Sequence, residues 1–318
     1  MIEHVVLGRE IVSAPFEVCF NWRSDLKRHA TILIFTVTAM MSFCSAYSAH
    51  AKARVFVLTG QSNMLGLGVN DELNPPYNAP QNDVNFWDNG WVDLQPGYGT
   101  DLYGAGERFG PELSFGRSIK DAYPDDEIYL VKYAVGGTAL HDDWAPGTGS
   151  QYVALMDTLE AALLNLDNAN IDYDIAGILW MQGESDALEN QGASYAANLE
   201  NFIEHTRTEL GNEEMPFVLG RVLTVFEDQP GQAELVRAAQ VSVAESLTNV
   251  AWIDTDGYTR NSLGGNGALI DDQGHYGTQG QIDLGNDFAS AYQSLVPEPG
   301  SLTVLGLGSL LALRRRRQ

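Results

Sequence analysis

The chain has 318 residues, 44% of them hydrophobic, enough to bury a sizeable core in one large domain or two small ones. Acidic residues outnumber basic ones by 42 to 18, a formal net charge of −24 at pH 7, and a surface of that sign repels phosphate backbones and argues against nucleic acid as a partner. Both cysteines, Cys19 and Cys44, precede residue 51, so the remainder has no thiol nucleophile, no cysteine-ligated zinc and no iron–sulfur chemistry.

In chain order, the first element is a leader. Arg23, Lys27 and Arg28 precede the apolar run ATILIFTVTAMMSFCSAYS, which leads into Ala49-His50-Ala51. A charged region, an apolar region and an A-x-A site are the parts of a secretory signal peptide, so residues 1–51 read as a signal peptide with an extended N-terminal region. A membrane anchor fits less well, because the apolar run is only marginally long and ends in small residues.

From Lys52 onward, strand-like and helix-like segments alternate without a linker or repeat: VFVLTG then GPELSFGRSIKDAY, EIYLVKYAV then YVALMDTLEAALLNL, and DIAGILWMQG then SYAANLENFIEHTRTEL. PFVLGRVLT then QAELVRAAQVSVAESL, and VAWIDTDG then TQGQIDLGNDFASAYQSL, complete the series. Continuous apolar strands separated by amphipathic helices predict a parallel sheet covered on both faces. The expectation is one domain over residues 52–295, a three-layer α/β/α sandwich with about five parallel strands. Residues 66–109 and 258–275 read as long loops, which usually carry function.

The chain closes on VPEPGSLTVLGLGSLLALRRRRQ. Its apolar run is too short for a comfortable bilayer crossing, which needs about 20 residues. A Pro-Glu-Pro, a short apolar run and an arginine cluster resemble the PEP-CTERM sorting signal, here residues 296–318. That resemblance implies an exosortase-type sorting machinery as partner, only transient membrane contact, and a secreted or cell-surface location on a bacterium. A plain C-terminal anchor is the alternative. Between Lys52 and Pro297 ten basic and 37 acidic residues remain, a net charge of −27.

Ligands of open parallel sheets bind beyond the carboxyl ends of the strands. There the sequence places Ser62 in GQSNM, Gly136 and Gly137 in AVGGT, Gln182 and Glu184 in WMQGESD, and Asp272 and His275 in DDQGHYGTQG. Ser62 or Asn63 would serve as a helix cap, but four polar or glycine clusters on one sheet edge favour Ser62 as a nucleophile. A serine needs a base within hydrogen-bond reach. Of the histidines after the leader, His205 lies within a surface-type helix and His141 suits a substrate contact, which leaves His275, with Asp272 three residues earlier to orient it. The amides of Ser62 and Gly137 and the side chain of Gln182 are the natural oxyanion donors. Glu184 is a rival to Asp272 as the acid.

These four blocks, in this order, resemble SGNH hydrolases, and more narrowly the sialate O-acetylesterase-like group that includes acetylxylan esterases of the sixth carbohydrate esterase family. The resemblance runs from about Val55 to Leu295. It implies a flavodoxin-like sandwich and removal of acetyl groups from carbohydrates, from a polysaccharide or sialic acid, without a cofactor or metal. In the wider superfamily the third block carries an asparagine as oxyanion donor, where this chain has Gln182. The competing reading is a non-catalytic carbohydrate-binding envelope protein that stacks sugars on Trp87, Trp91, Trp144 or Trp180. A metal-dependent hydrolase using DLYGAGE, HDDW and IDD is weaker, since no H-E-x-x-H or EF-hand pattern accompanies those acids.

Overall fold

The computed structural model describes residues 52–100, 107–224, 230–263 and 269–296. The leader, and the sorting signal from residue 297 on, lie outside the described residues. The first half comprises β1 (Ala53–Gly60), a one-turn helix α1 (Ser62–Leu65), β2 (Gly68–Val69), β3 (Gln81–Trp87), β4 (Trp91–Leu94), β5 (Arg108–Phe109), α2 (Glu112–Ala122) and β6 (Glu127–Ala134). After it come α3 (Ser150–Asn168), β7 (Tyr173–Met181), α4 (Glu184–Leu188), α5 (Gly192–Glu209), β8 (Phe217–Gly220) and α6 (Pro230–Ser246). The last elements are β9 (Val250–Ile253), β10 (Arg260–Leu263), β11 (Leu269–Tyr276) and α7 (Thr278–Leu295).

β1 lies between β6 and β7, parallel to both, and β8 and β9 extend the sheet in parallel beyond β7. By chain position these five strands run 2-1-3-4-5, the flavodoxin order. β1 holds Val55, Phe56, Val57 and Leu58 out of water on both faces, as a central parallel strand must. Alternation along β1 then sorts the helices into two layers. On one face the Phe56 ring meets Phe115 of α2 at 5.1 Å and Tyr292 of α7 at 4.9 Å. On the other, Trp180, level with Thr59, meets Phe202 of α5 at 4.4 Å and Trp144 at 5.4 Å. Each such buried ring contributes about 2–3 kcal/mol of hydrophobic stabilisation.

Two expected loops contain strands. Within residues 66–109, β3 pairs in parallel with β6, and β4 adds an antiparallel edge, so the sheet has seven strands rather than five. The β3–β4 turn is made by Asp88-Asn89-Gly90 with Asn89 at φ 55°, a conformation that asparagine tolerates. Within residues 258–275, β10 and β11 form an antiparallel hairpin whose register jumps from Asn261 opposite Asp272 to Arg260 opposite Tyr276. Three extra residues therefore bulge from β11, and His275 is one of them.

The chain leaves β1 toward β6, then crosses back to β7, so the topological switch lies between β1 and β7. Ser62 follows the first of these strands and Gln182 the second. A ligand crevice belongs at that point.

Candidate active site

The turn after β1 depends on Gly60, whose φ is +141° and where a Cβ would lie 2.1 Å from the Met181 carbonyl oxygen. Gln61 N–H then donates to that carbonyl at 2.9 Å, and α1 begins at Ser62. No side chain caps α1, so neither Ser62 nor Asn63 is the helix cap that the local sequence allows. The Ser62 hydroxyl oxygen instead lies 2.9 Å from Nε2 of His275. Residues 213 positions apart are thus brought into hydrogen-bond contact. As the first residue of α1, Ser62 has an N–H that no turn of that helix satisfies.

Asn63 is fully buried beside Ser62. Its Nδ2 donates to Glu184 Oε1 at 2.8 Å and to the Gly274 carbonyl at 3.1 Å, and its Oδ1 accepts from Tyr276 N–H at 3.1 Å. Glu184 opens α4 with its side chain out of water, and its second oxygen, Oε2, meets no donor among the described residues. Burial pushes the Glu184 carboxyl above its ordinary pKa; the Asn63 hydrogen bond and the nearby His275 pull the other way with less effect. Glu184 thus accepts a hydrogen bond from Asn63, next to the nucleophile candidate.

The turn is supported on its other side by a buried ion pair. Lys132 Nζ donates to Glu112 Oε2 at 2.7 Å and to the Leu65 carbonyl, the last of α1, at 2.8 Å. Glu112 Oε1 accepts from Gly110 N–H at 2.8 Å.

The glycine turn stands next to this one, because Val135 N–H donates to the Gly60 carbonyl at 3.1 Å. Gly137 is exposed at φ +72°, and a Cβ there would meet nothing within 4 Å among the described residues. Gln182 departs from its expected role as an oxyanion donor. It is fully buried, and its two amide hydrogens go to the Thr138 carbonyl at 2.9 Å and to Asp186 Oδ2 at 2.7 Å, leaving none for a substrate. Asp186 also accepts from Leu140 N–H at 2.7 Å and His141 N–H at 3.1 Å. Gln182 and Asp186 together brace the segment that carries Gly137.

Of the remaining candidates, the Asp272 side chain lies outside the described residues, which fix only its backbone opposite Asn261. Residues three apart on a regular strand point to opposite faces; the bulge in β11 removes that constraint between Asp272 and His275. His141 is half-buried, with Nδ1 3.3 Å from Asp186 and Nε2 3.4 Å from Glu189. His205 is exposed on α5, 3.7 Å from Glu209. Trp144 and Trp180 are fully buried and donate to Thr138 and Tyr195, so they are core rings and not sugar platforms. Trp87 and Trp91 pack edge-to-face at 5.1 Å, and Trp91 packs on Tyr129. Asp143, weighed for metal, accepts from Ala139 N–H at 2.8 Å. A cavity of about 730 Å³ lined by Lys52, Arg54, Tyr173 and Asp174 lies at the amino ends of β1 and β7, at the opposite edge of the sheet from Ser62.

Sequence reasoning missed Asn63, Asp186 and the Glu112–Lys132 pair. The first two stand inside the quoted blocks GQSNM and WMQGESD, so their position was visible and their partners were not. Lys132, a charged residue inside an otherwise apolar strand, is the signal that could have exposed the third.

The sequence profile of a family described as carbohydrate esterase, sialic acid-specific acetylesterase, matches residues 52–294. The chain belongs to this family. Membership supports carbohydrate esterase activity. An Arabidopsis thaliana relative named probable carbohydrate esterase is 29% identical over 258 residues, which cover 76% of this chain and 90% of the relative. A solved structure of an Arabidopsis thaliana protein superposes with a TM-score of 0.62 at 27% identity, covering 76% of this chain and 98% of that one. The structure of NanS gives 0.60 at 18% identity, over 76% and 97% of the two chains. A carbohydrate acetylesterase from Xanthomonas citri gives 0.53 at 17%, over 76% and 56%. These last two likenesses establish the mostly parallel α/β fold that this chain shares with them.

Proposed function

We propose that this carbohydrate esterase removes O-acetyl groups from sugars by a serine mechanism. The observation that carries the reading is the 2.9 Å contact between Ser62 Oγ and His275 Nε2, within the range needed for direct proton transfer. Ser62 Oγ attacks the acetyl carbonyl carbon while its proton passes to His275 Nε2. The negative charge that develops on the carbonyl oxygen is met by the Ser62 and Gly137 N–H groups. The bond to the sugar oxygen breaks, and His275 returns its proton to that oxygen. Water then attacks the acetyl-serine, its proton passing to His275, and acetate leaves as Ser62 regains its hydrogen. Asp272 orients the imidazole in this scheme, supported by its place three residues earlier in a bulged strand. Gln182 acts through the Gly137 segment instead of touching the oxyanion.

The finer placement among acetylxylan esterases of the sixth family rests on the motif resemblance. Export through residues 1–51 and envelope sorting through residues 296–318 rest on the sequence of those segments. Acetate release from a chromogenic acetyl ester and from a panel of acetylated polysaccharides and sialic acids tests the reading. Activity is expected to survive a chelator and to fall on the order of 10⁶-fold in Ser62→Ala. Chelator-sensitive activity restored by a divalent ion, or an active Ser62→Ala enzyme, would overturn it.

A further inference from the structure

We infer that Asn63 is a positioning residue that clamps the backbone on both sides of His275 and is itself held in orientation by Glu184; the inference rests on the serine esterase reading above. Its three side-chain hydrogen bonds reach three groups that matter separately: the carbonyl of Gly274, the N–H of Tyr276 and one oxygen of Glu184. The first two belong to the chain neighbours of His275.

A carboxamide suits these partners. A backbone N–H needs an acceptor and a backbone carbonyl needs a donor, so Oδ1 must face Tyr276 and Nδ2 must face Gly274. The second Nδ2 hydrogen then points at Glu184, whose only task in the contact is to accept. A carboxylate at position 63 would lack both hydrogens and would confront Glu184 with like charge.

The clamp meets a need that the fold creates. His275 lies in the bulge of β11, where the register jumps and no regular ladder sets its direction. Asn63 and Ser62 are consecutive residues of α1, and that turn is closed by Met64 and Leu65 N–H groups bonded to the Gln61 carbonyl. The nucleophile and the clamp on its base therefore move as one body. Gln281 Nε2 adds a bond to the Asn63 carbonyl at 3.3 Å, tying the start of α7 to the same turn.

The test uses steady-state kinetics on a chromogenic acetyl ester with Ser62→Ala, Asn63→Ala, Asn63→Asp, Glu184→Gln and the double variant Asn63→Asp/Glu184→Gln, each checked by circular dichroism and thermal melting. Misplacing the base by about 1 Å costs about 10²-fold. Asn63→Ala and Asn63→Asp are expected to lose about that in kcat with KM within about twofold, and Glu184→Gln less than about tenfold. The double variant is expected to recover about tenfold over Asn63→Asp, since the new amide at 184 donates to the new carboxylate at 63. A folded Asn63→Ala enzyme within about threefold of the parent kcat would overturn the inference. So would a loss in Asn63→Asp that the second substitution leaves unchanged. Full activity in Ser62→Ala would instead overturn the esterase reading beneath it.

Discussion

Glu112 and Glu184 each open a helix and each is buried; Glu184 bonds the turn that carries Ser62 directly at Asn63, whereas Glu112 reaches it through Lys132, and their surroundings differ. Glu112 faces an ammonium: Lys132 lies 2.7 Å from one oxygen, with the Gly110 N–H on the other. Glu184 faces the carboxamide of Asn63 and no ammonium or guanidinium among the described residues, and its second oxygen has no donor among them. A buried charge demands a counter-charge and hydrogen bonds, so the first arrangement is a fixed strut under α1. The second leaves the carboxyl with its proton held more tightly than in water, and its acceptor serves Asn63 whether or not it is ionised. The same residue type thus braces one side of the turn with charge and the other with a hydrogen bond.

Removing the counter-charge should break the comparison most visibly. Lys132→Met leaves Glu112 buried without its cation and the Leu65 carbonyl without its donor, and is expected to cost about 3–5 kcal/mol in urea unfolding. A loss under about 1 kcal/mol would mean that the strut carries no charge worth pairing.

A smaller effect is expected at Glu184 and sharpens the contrast through pH. Its folded pKa lies above the ordinary value of 4.5, so between the two the unfolded chain releases a proton that the native state keeps. The contribution of Glu184 to stability therefore falls as pH rises through that window and stays low above it. Glu184→Gln, which keeps the acceptor for Asn63, should remove this slope. The stability difference between variant and parent, from unfolding curves at about pH 4 to 8, is expected to move in the variant's favour with rising pH. A difference that moves toward the parent would show Glu184 to be stabilised as a carboxylate.

The five expected strands and their covering helices were legible because apolar runs and helical periodicity are local signals. The β3–β4 hairpin was missed, because residues 66–109 were read as one loop although they contain Asn89-Gly90, a pair that favours hairpin turns. The pairing of Ser62 with His275, a 2.9 Å contact in the structure, was legible from residue type, from the end of the first strand and from elimination among three histidines. The direction of an amide was not. Gln182 and Asn63 both sit in polar motifs just beyond strands, and only packing shows that Gln182 turns inward to Asp186 and Thr138 while Asn63 reaches the backbone on either side of His275. The partner of Glu184 was hidden for the same reason, since a contact across 121 positions leaves no spacing to read.

The most direct test of the account is to trap the covalent intermediate. The purified enzyme, treated with a serine-directed fluorophosphonate and in parallel acid-quenched during turnover of an acetyl ester, can be mapped by peptide mass spectrometry. The account predicts a single modified residue, Ser62, in both samples, with no adduct in Ser62→Ala and slow labelling in His275→Ala. A catalytically active preparation that carries its adduct on another residue, or none at all, would contradict it.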